Sequence, residues 1–406
     1  MNFPRLVKIR QLFTHDRIEN PLQDLLIRLR NSRLLEQVQP GSRVAVTAGS
    51  RGIHGIASIV RTVVDELKNA DAHPFIIPAM GSHGGGTAQG QRAVLESLGI
   101  DEVSMEVPVV SSIETAVLGT TPSGIPVFMD RNAHEADGIV VINRIKIHTA
   151  YHGSIESGLC KMVAVGLGKR EGAAALHRCG LGNEVVESFR VARGNVPILF
   201  GVGILENAFD ETLDFRVVGP EDFEPVDREL LERCRNIVPR IPFRTFDILM
   251  VDEMGKNISG TGMDTNVIGF WRRFGGERIP DYSTLIVCDL TPESHGNAMG
   301  IGFADLTTRR LVNKIDFEPT YTNGITSGTW AIVRIPITLD NDYACIRTAL
   351  ENHEPGYARI VRIKNTLELE NLYVSENLLG EVEQRDDLEV IGEPVEMRFN
   401  REGNLL

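Results

Sequence analysis

The sequence predicts an α/β fold: two α/β domains with largely parallel sheets and an active-site cleft between them. Three observations carry this expectation. Apolar runs of strand length alternate with segments of helical spacing. Two of the runs, "DGIVVINRIKI" (137–147) and "VPILFGVGIL" (196–205), are apolar almost throughout, as in strands covered on both faces. The strand-then-glycine-loop pattern begins again after a charged, proline-punctuated stretch. In such folds the working loops leave the carboxyl ends of the strands, and two domains with polar loops imply a site between them.

The first strand is "RVAVTAGS" (43–50), which ends in a Gly-Ser turn, and "IASIVRTVVDELKNA" (56–70) follows with helical spacing. A second strand, "HPFIIPAM", leads into the glycine loop "GSHGGGTAQGQ" (81–91) and a helix from about 88 to 98. The buried-type runs at 137–147 and 196–205 continue the sheet. Residues 219–245 read as a linker with one helix-like centre, separating a domain of residues 1–218 from one of residues 246–406. In the second domain "FDILMVDEMGKNISGTG" opens a further α/β unit and "STLIVCDLTPESHGNAMGIG" (283–302) continues it.

The bulk numbers narrow the function. A net charge of −13 argues against nucleic acid or another polyanion as the main partner. No apolar run approaches the roughly 20 residues that cross a bilayer, and the N-terminus lacks a signal-peptide pattern. Five scattered cysteines without CxxC spacing read as reduced thiols in a cytoplasmic protein.

A glycine loop between strand and helix usually points to phosphate, but this one has no GxxxxGK[ST] pattern. Gly84, Gly85 and Gly86 are followed by Thr87, Ala88 and Gln89, and a histidine, His83, stands at the strand's carboxyl end. The cluster "VGLGKREGA" also misses GxGxxG by one residue. Backbone amides at 84–87 remain candidates for an anion at a helix N-terminus. His83, His148, His152 and His177 all fall in or beside turn-rich segments after apolar strands. The densest polar segment is 143–177, where "HTAYHGS" reads as a loop and not as a helical zinc pair. Lys161, in "GLCKMVAVG", precedes a helix interrupted around Gly166–Gly168. Together with Arg51, after the first strand, these residues suit a small anionic substrate and imidazole acid–base chemistry.

The order "SRG" after the first strand, "GSHGG" after the second and then a His–Lys–His series resembles the lactate racemase superfamily. These are nickel-pincer-nucleotide-dependent racemases and epimerases of 2-hydroxy acids. The resemblance covers most of the first 240 residues in motif order and the remainder more loosely. It implies that Arg51 helps hold the substrate carboxylate and that His83 is the first of two catalytic histidines. It gives the second catalytic role to His148, with His152 as a rival, and places Gly84 and Gly85 against the cofactor. It further implies that Lys161 tethers the pincer nucleotide, that His177, sixteen residues on, ligates nickel, and that Lys256 lies near substrate and cofactor phosphate. The cofactor would take a hydride from Cα while a histidine takes the hydroxyl proton, and return to the other face inverts the centre. A square-planar nickel ion wants four donors; the pincer gives sulfur, carbon and sulfur, leaving one place for an imidazole.

Two departures mark a divergent member. Ala48 stands where the family often has an acidic residue three positions before the arginine. The 13-residue step from His148 to Lys161 is longer than in close lactate racemases, so an insertion lies in this loop. His148 is preferred over His152 because it directly ends the strand. The expected partners are a 2-hydroxy acid, with the departures favouring one larger than or different from lactate, and the proteins that mature the cofactor. A nickel-independent lyase or dehydratase on the same scaffold, or a non-catalytic anion-binding protein, are the alternatives.

Overall fold

The computed structural model describes residues 3–50, 52–179, 181–354 and 356–406, without the side chain of Thr326. The chain forms two compact units, residues 14–238 and residues 1–13 with 239–406. The first strand, β1 (Leu6–Gln11), therefore belongs with the C-terminal half.

The unit of residues 14–238 is built on a five-stranded sheet. Its strands are β2 (Arg43–Ala48), β3 (His73–Pro78), β6 (Gly138–Arg144), β7 (Ile198–Glu206) and β8 (Thr212–Val218). A separate antiparallel ribbon pairs β4 (Thr115–Thr120) with β5 (Pro126–Asp130). The sheet order is β3-β2-β6-β7-β8, parallel except for the closing β7–β8 pair. Each apolar run feeds both faces, because successive strand residues point to opposite sides. Val140 and Ile142 join Val44, Val46 and Phe200 in one core, under the helices Pro21–Ser32 and Ile56–Asn69. Ile139 and Val141 join Ala45, Ile77, Leu159, Val163 and Phe189 in the other. Full burial of both faces is why these strands lack alternation.

Residues 219–245 are not a linker. Phe223–Ile237 is a helix whose residues Phe223, Val226, Leu230 and Leu231 are buried against the sheet unit. Its charged surface face gave the stretch a linker-like composition. The unit ends only at Val238.

In the other unit the sheet has eight strands: β9 (Ile248–Val251), β10 (Thr284–Val287), β11 (Leu306–Thr308), β12 (Ile337–Leu339), β13 (Ile360–Ile363), β14 (Asn371–Ser375) and β15 (Leu388–Val390), with β1. The order is β12-β11-β10-β9-β13-β14-β1-β15. Strands β9 to β13 run parallel, whereas β14, β1 and β15 pair antiparallel. Buried Gln11, at the end of β1, fixes the register by donating to Leu369 O at 2.7 Å and Arg240 O at 3.0 Å. Among the described residues, no helix is long and apolar enough to cross a membrane.

Candidate active site

The loops that follow β2, β3 and β6 leave the same end of the parallel sheet and carry most of the candidate residues. In the first two, Ser50 Oγ is hydrogen-bonded to His83 Nδ1. The glycine loop is a tight turn: Gly84, Gly85 and Gly86 all take left-handed φ, at 64°, 68° and 64°. Only glycine adopts three such conformations in succession without strain. Two of its amides are occupied. Gly86 N–H donates to His83 O (3.2 Å), Thr87 N–H donates to Gly84 O (3.4 Å), and the Thr87 hydroxyl caps the next helix, Ala88–Ser97, at Gly90 N (3.1 Å). Two of the four amides expected to face an anion at 84–87 are thus taken up within the turn. Gly84 is packed against the backbone of Gly90 and Gln91, where a Cβ would approach within 2.6 Å, whereas Gly85 faces open space.

A buried polar chain fixes this turn from beneath. Lys169 is 1 % exposed; its ammonium donates to Pro78 O (2.5 Å) and Gln91 Oε1 (3.2 Å) and forms an ion pair with Asp130 Oδ2 (2.9 Å). Burial pulls the lysine below its usual range, and Asp130 works against that pull. Gln91, itself buried, passes the restraint on by donating to Gly81 O (2.8 Å) and His83 O (3.4 Å).

In the loop after β6, Glu156 is the hub. Its Oε2 accepts from His148 N–H (2.6 Å); its Oε1 meets His152 Nδ1 (3.4 Å), Gly153 N–H (3.2 Å) and Arg235 Nη2 (2.8 Å). Burial raises this carboxyl, but the hydrogen bonds from His152, His148 N–H, Arg235 and Gly153 N–H outweigh it and hold it below the usual range. His148 Nδ1 accepts from Ala150 N–H at 3.0 Å, and its ring lies 4.6 Å from that of Tyr151. Tyr151 donates to Glu156 O (3.0 Å), and the Lys161 ammonium lies 5.8 Å from the centre of its ring. His148, Tyr151 and Lys161 thus form one cluster.

Lys161 ends a single helical turn, Leu159–Lys161, which continues as a π-turn, Met162–Gly166, and then as the helix Lys169–Cys179. That π-turn is the interruption expected around the glycines, and such turns concentrate at functional sites. The first turn has its exposed amides capped by Asp227, from the helix Phe223–Ile237. Asp227 accepts from Leu159 N–H and Cys160 N–H, both at 2.8 Å. Complete burial pushes its carboxyl up to about 6 despite those hydrogen bonds. His177 is exposed in the last turn of Lys169–Cys179.

Two expected residues stand apart. Arg51 lies outside the described residues. Lys256 belongs to the other unit, in the loop after β9, where its ammonium donates to Gly260 O (2.6 Å) and Asn323 Oδ1 (3.2 Å). Among the described residues, no group of three or more His, Cys, Asp or Glu is arranged to hold a metal.

Residues 14–188 match the family model of the lactate racemase N-terminal domain. Residues 14–188 thus form a domain of the lactate racemase N-terminal family. The lactate racemase apoprotein of Thermoanaerobacterium thermosaccharolyticum has a similar fold, with a TM-score of 0.52 at 12% identity over 86% of this chain and 92% of that one. A crystal structure of a protein from Thermotoga maritima aligns with a TM-score of 0.48 at 15% identity over 68% of this chain and 72% of that one. No curated protein matches the chain.

Within this lactate racemase fold, several supporting residues were invisible to motif reading. Glu156 and Asp227 look like ordinary surface carboxylates in sequence, because only the packing of the helix Phe223–Ile237 buries them. Lys169 carried a faint signal, a lone lysine between glycines in "GLGKREG". Its backbone is left-handed, with φ 54°, which is uncommon for a side chain of this size.

Proposed function

We propose that this protein racemises or epimerises a 2-hydroxy acid with the help of a nickel-pincer nucleotide held by Lys161 and His177. The observation that carries this reading is that a domain of the lactate racemase family gathers Lys161, His148 and His152 around one loop, with His83 at the end of the neighbouring strand but one. The donor chemistry fits such a cofactor. A lysine amine, set in a capped helical turn beside Tyr151, suits an acyl tether, and an imidazole on the next helix suits nickel. Gly49, at the end of β2, leaves Met162 just enough room, since a Cβ there would approach its methyl within 3.2 Å.

When bound, the cofactor would supply a reversible hydride acceptor, the one function no side chain here can provide. The chain's own residues would handle protons and orientation. His83 would present Nε2 to the substrate because Nδ1 is engaged by Ser50 Oγ. The Lys169–Gln91 chain holds the His83 backbone, so the imidazole approaches the hydroxyl from a fixed position. A second imidazole from the 145–158 loop serves the opposite face, and Arg51 would take the carboxylate.

The test is the intact mass and nickel content of protein co-expressed with the cofactor-making enzymes. A mass increase confined to Lys161, nickel near one per chain and turnover with at least one 2-hydroxy acid are expected. An unmodified lysine together with no racemisation across a panel of hydroxy acids would overturn the reading.

A further inference from the structure

We infer that His152, and not His148, is the second proton-transfer residue, and that Glu156 is its positioning residue. The inference rests on the function proposed above for its chemistry, but its geometry stands alone. Glu156 accepts from the backbone N–H of His148 and meets the ring of His152, and the two imidazoles have different partners at Nδ1. Ala150 N–H points at His148 Nδ1 from 3.0 Å, so that nitrogen keeps its lone pair. A neutral His148 then carries its proton on Nε2. Such a ring donates a hydrogen bond from Nε2, and its one lone pair, on Nδ1, is engaged by Ala150 N–H. Switching tautomer would drive Nδ1–H against Ala150 N–H, and the Tyr151 ring packed on its face resists rotation.

His152 has the reverse pattern. Its Nδ1 faces Glu156 Oε1, a carboxylate kept ionised by its hydrogen bonds, so Nδ1 is the donor and Nε2 carries the lone pair. Glu156 is wholly buried, while the His152 side chain is 43 % exposed, so the carboxylate orients the ring from behind and the open side meets substrate. This is the arrangement by which a buried carboxylate fixes the tautomer of a general base and compensates the imidazolium that forms. Arg235, on the same oxygen at 2.8 Å, keeps that carboxylate in place. The proton of the substrate hydroxyl passes to His152 Nε2 as the Cα–H pair leaves to the hydride acceptor, the O–H pair becomes the C=O bond, and the reverse step returns both. His148, with Nε2–H fixed, donates to a substrate oxygen throughout.

The experiment has two arms. Nitrogen-15 NMR of the full chain without cofactor, at a pH where imidazoles are neutral, reads the tautomers directly. His148 is expected as Nε2–H and His152 as Nδ1–H, and finding His148 as Nδ1–H overturns the inference. In the matured enzyme, His152→Gln is expected to lower kcat about 100-fold or more with little change in KM. His148→Gln should act mainly on KM. Glu156→Gln should lower kcat, with partial rescue by Glu156→Asp. His152 lies at the surface, so its replacement leaves folding intact; wild-type kcat in His152→Gln also overturns the inference. Absence of turnover in the wild-type enzyme would instead count against the proposed function, while the tautomer arm still decides the assignment.

Discussion

Lys169 and Asp130 form a buried ion pair, and at this scale the energetic question is what each costs without the other. Removing one partner of such a pair strands a charge in the interior, whereas removing both is often close to neutral. Lys169→Met is therefore expected to destabilise the protein by about 3–5 kcal/mol, and Lys169→Met with Asp130→Asn to recover most of that loss. Chemical denaturation of the two variants checks it; equal instability would show that the lysine acts by packing alone. Asp227 gives a prediction with a sign. Its folded pKa, about 6, lies above its ordinary value of 3.8. The native state therefore holds this proton at pH values where the unfolded chain has released it. Stability from this group is full below the unfolded value and is lost as pH rises through the folded one. The difference between wild type and Asp227→Asn should shrink by up to about 3 kcal/mol from about pH 4 to pH 7. Unfolding free energies at several pH values measure it, and a flat difference would mean that Asp227 is ionised at no cost.

Among elements, the helix Phe223–Ile237 matters most because it reaches across to cap the turn that carries Lys161. Gly158 makes that contact possible: its φ of 175° suits any residue, so the constraint is space and not conformation. A Cβ at Gly158 would lie 2.3 Å from Asp227 Oδ1. Gly158→Ala must therefore displace the capping carboxylate. A stability loss of about 1–2 kcal/mol is expected, together with poorer loading of cofactor on Lys161. Thermal unfolding and intact mass read the two effects, and a variant with unchanged values of both would show that the cap is dispensable. The sequence made the strands and the principal helices of this unit legible, since periodicity and unbroken apolar runs are local signals. The helix Phe223–Ile237 was hidden because its buried stripe is diluted by eight charged or polar residues in fifteen.

For the whole molecule, the assignment of residues 1–13 has the largest consequence. Strand β1 sits between β14 and β15, so its removal leaves two strand edges unpaired. A chain lacking residues 1–13 is expected to lose the cooperative unfolding of the C-terminal unit while residues 14–238 keep theirs. Limited proteolysis that finds residues 239–406 still protected would refute this. Nothing in the first thirteen residues announces a partner more than 350 positions away, since β pairing over such a distance has no local signature.

The sequence by itself determined the α/β class, the carboxyl-end loops, the histidines and the lysine proposed as the site, and the family to which they point. Those features depend on residue type, spacing and periodicity, which are written along the chain. Only the tertiary structure decided that Glu156, Asp227 and Lys169 are buried, that the glycine turn spends the amides of Gly86 and Thr87 on itself, and that one carboxylate holds the His148 backbone N–H and the His152 ring. Burial and hydrogen-bond direction depend on which distant segment arrives alongside, and that is a property of packing, not of order in the chain.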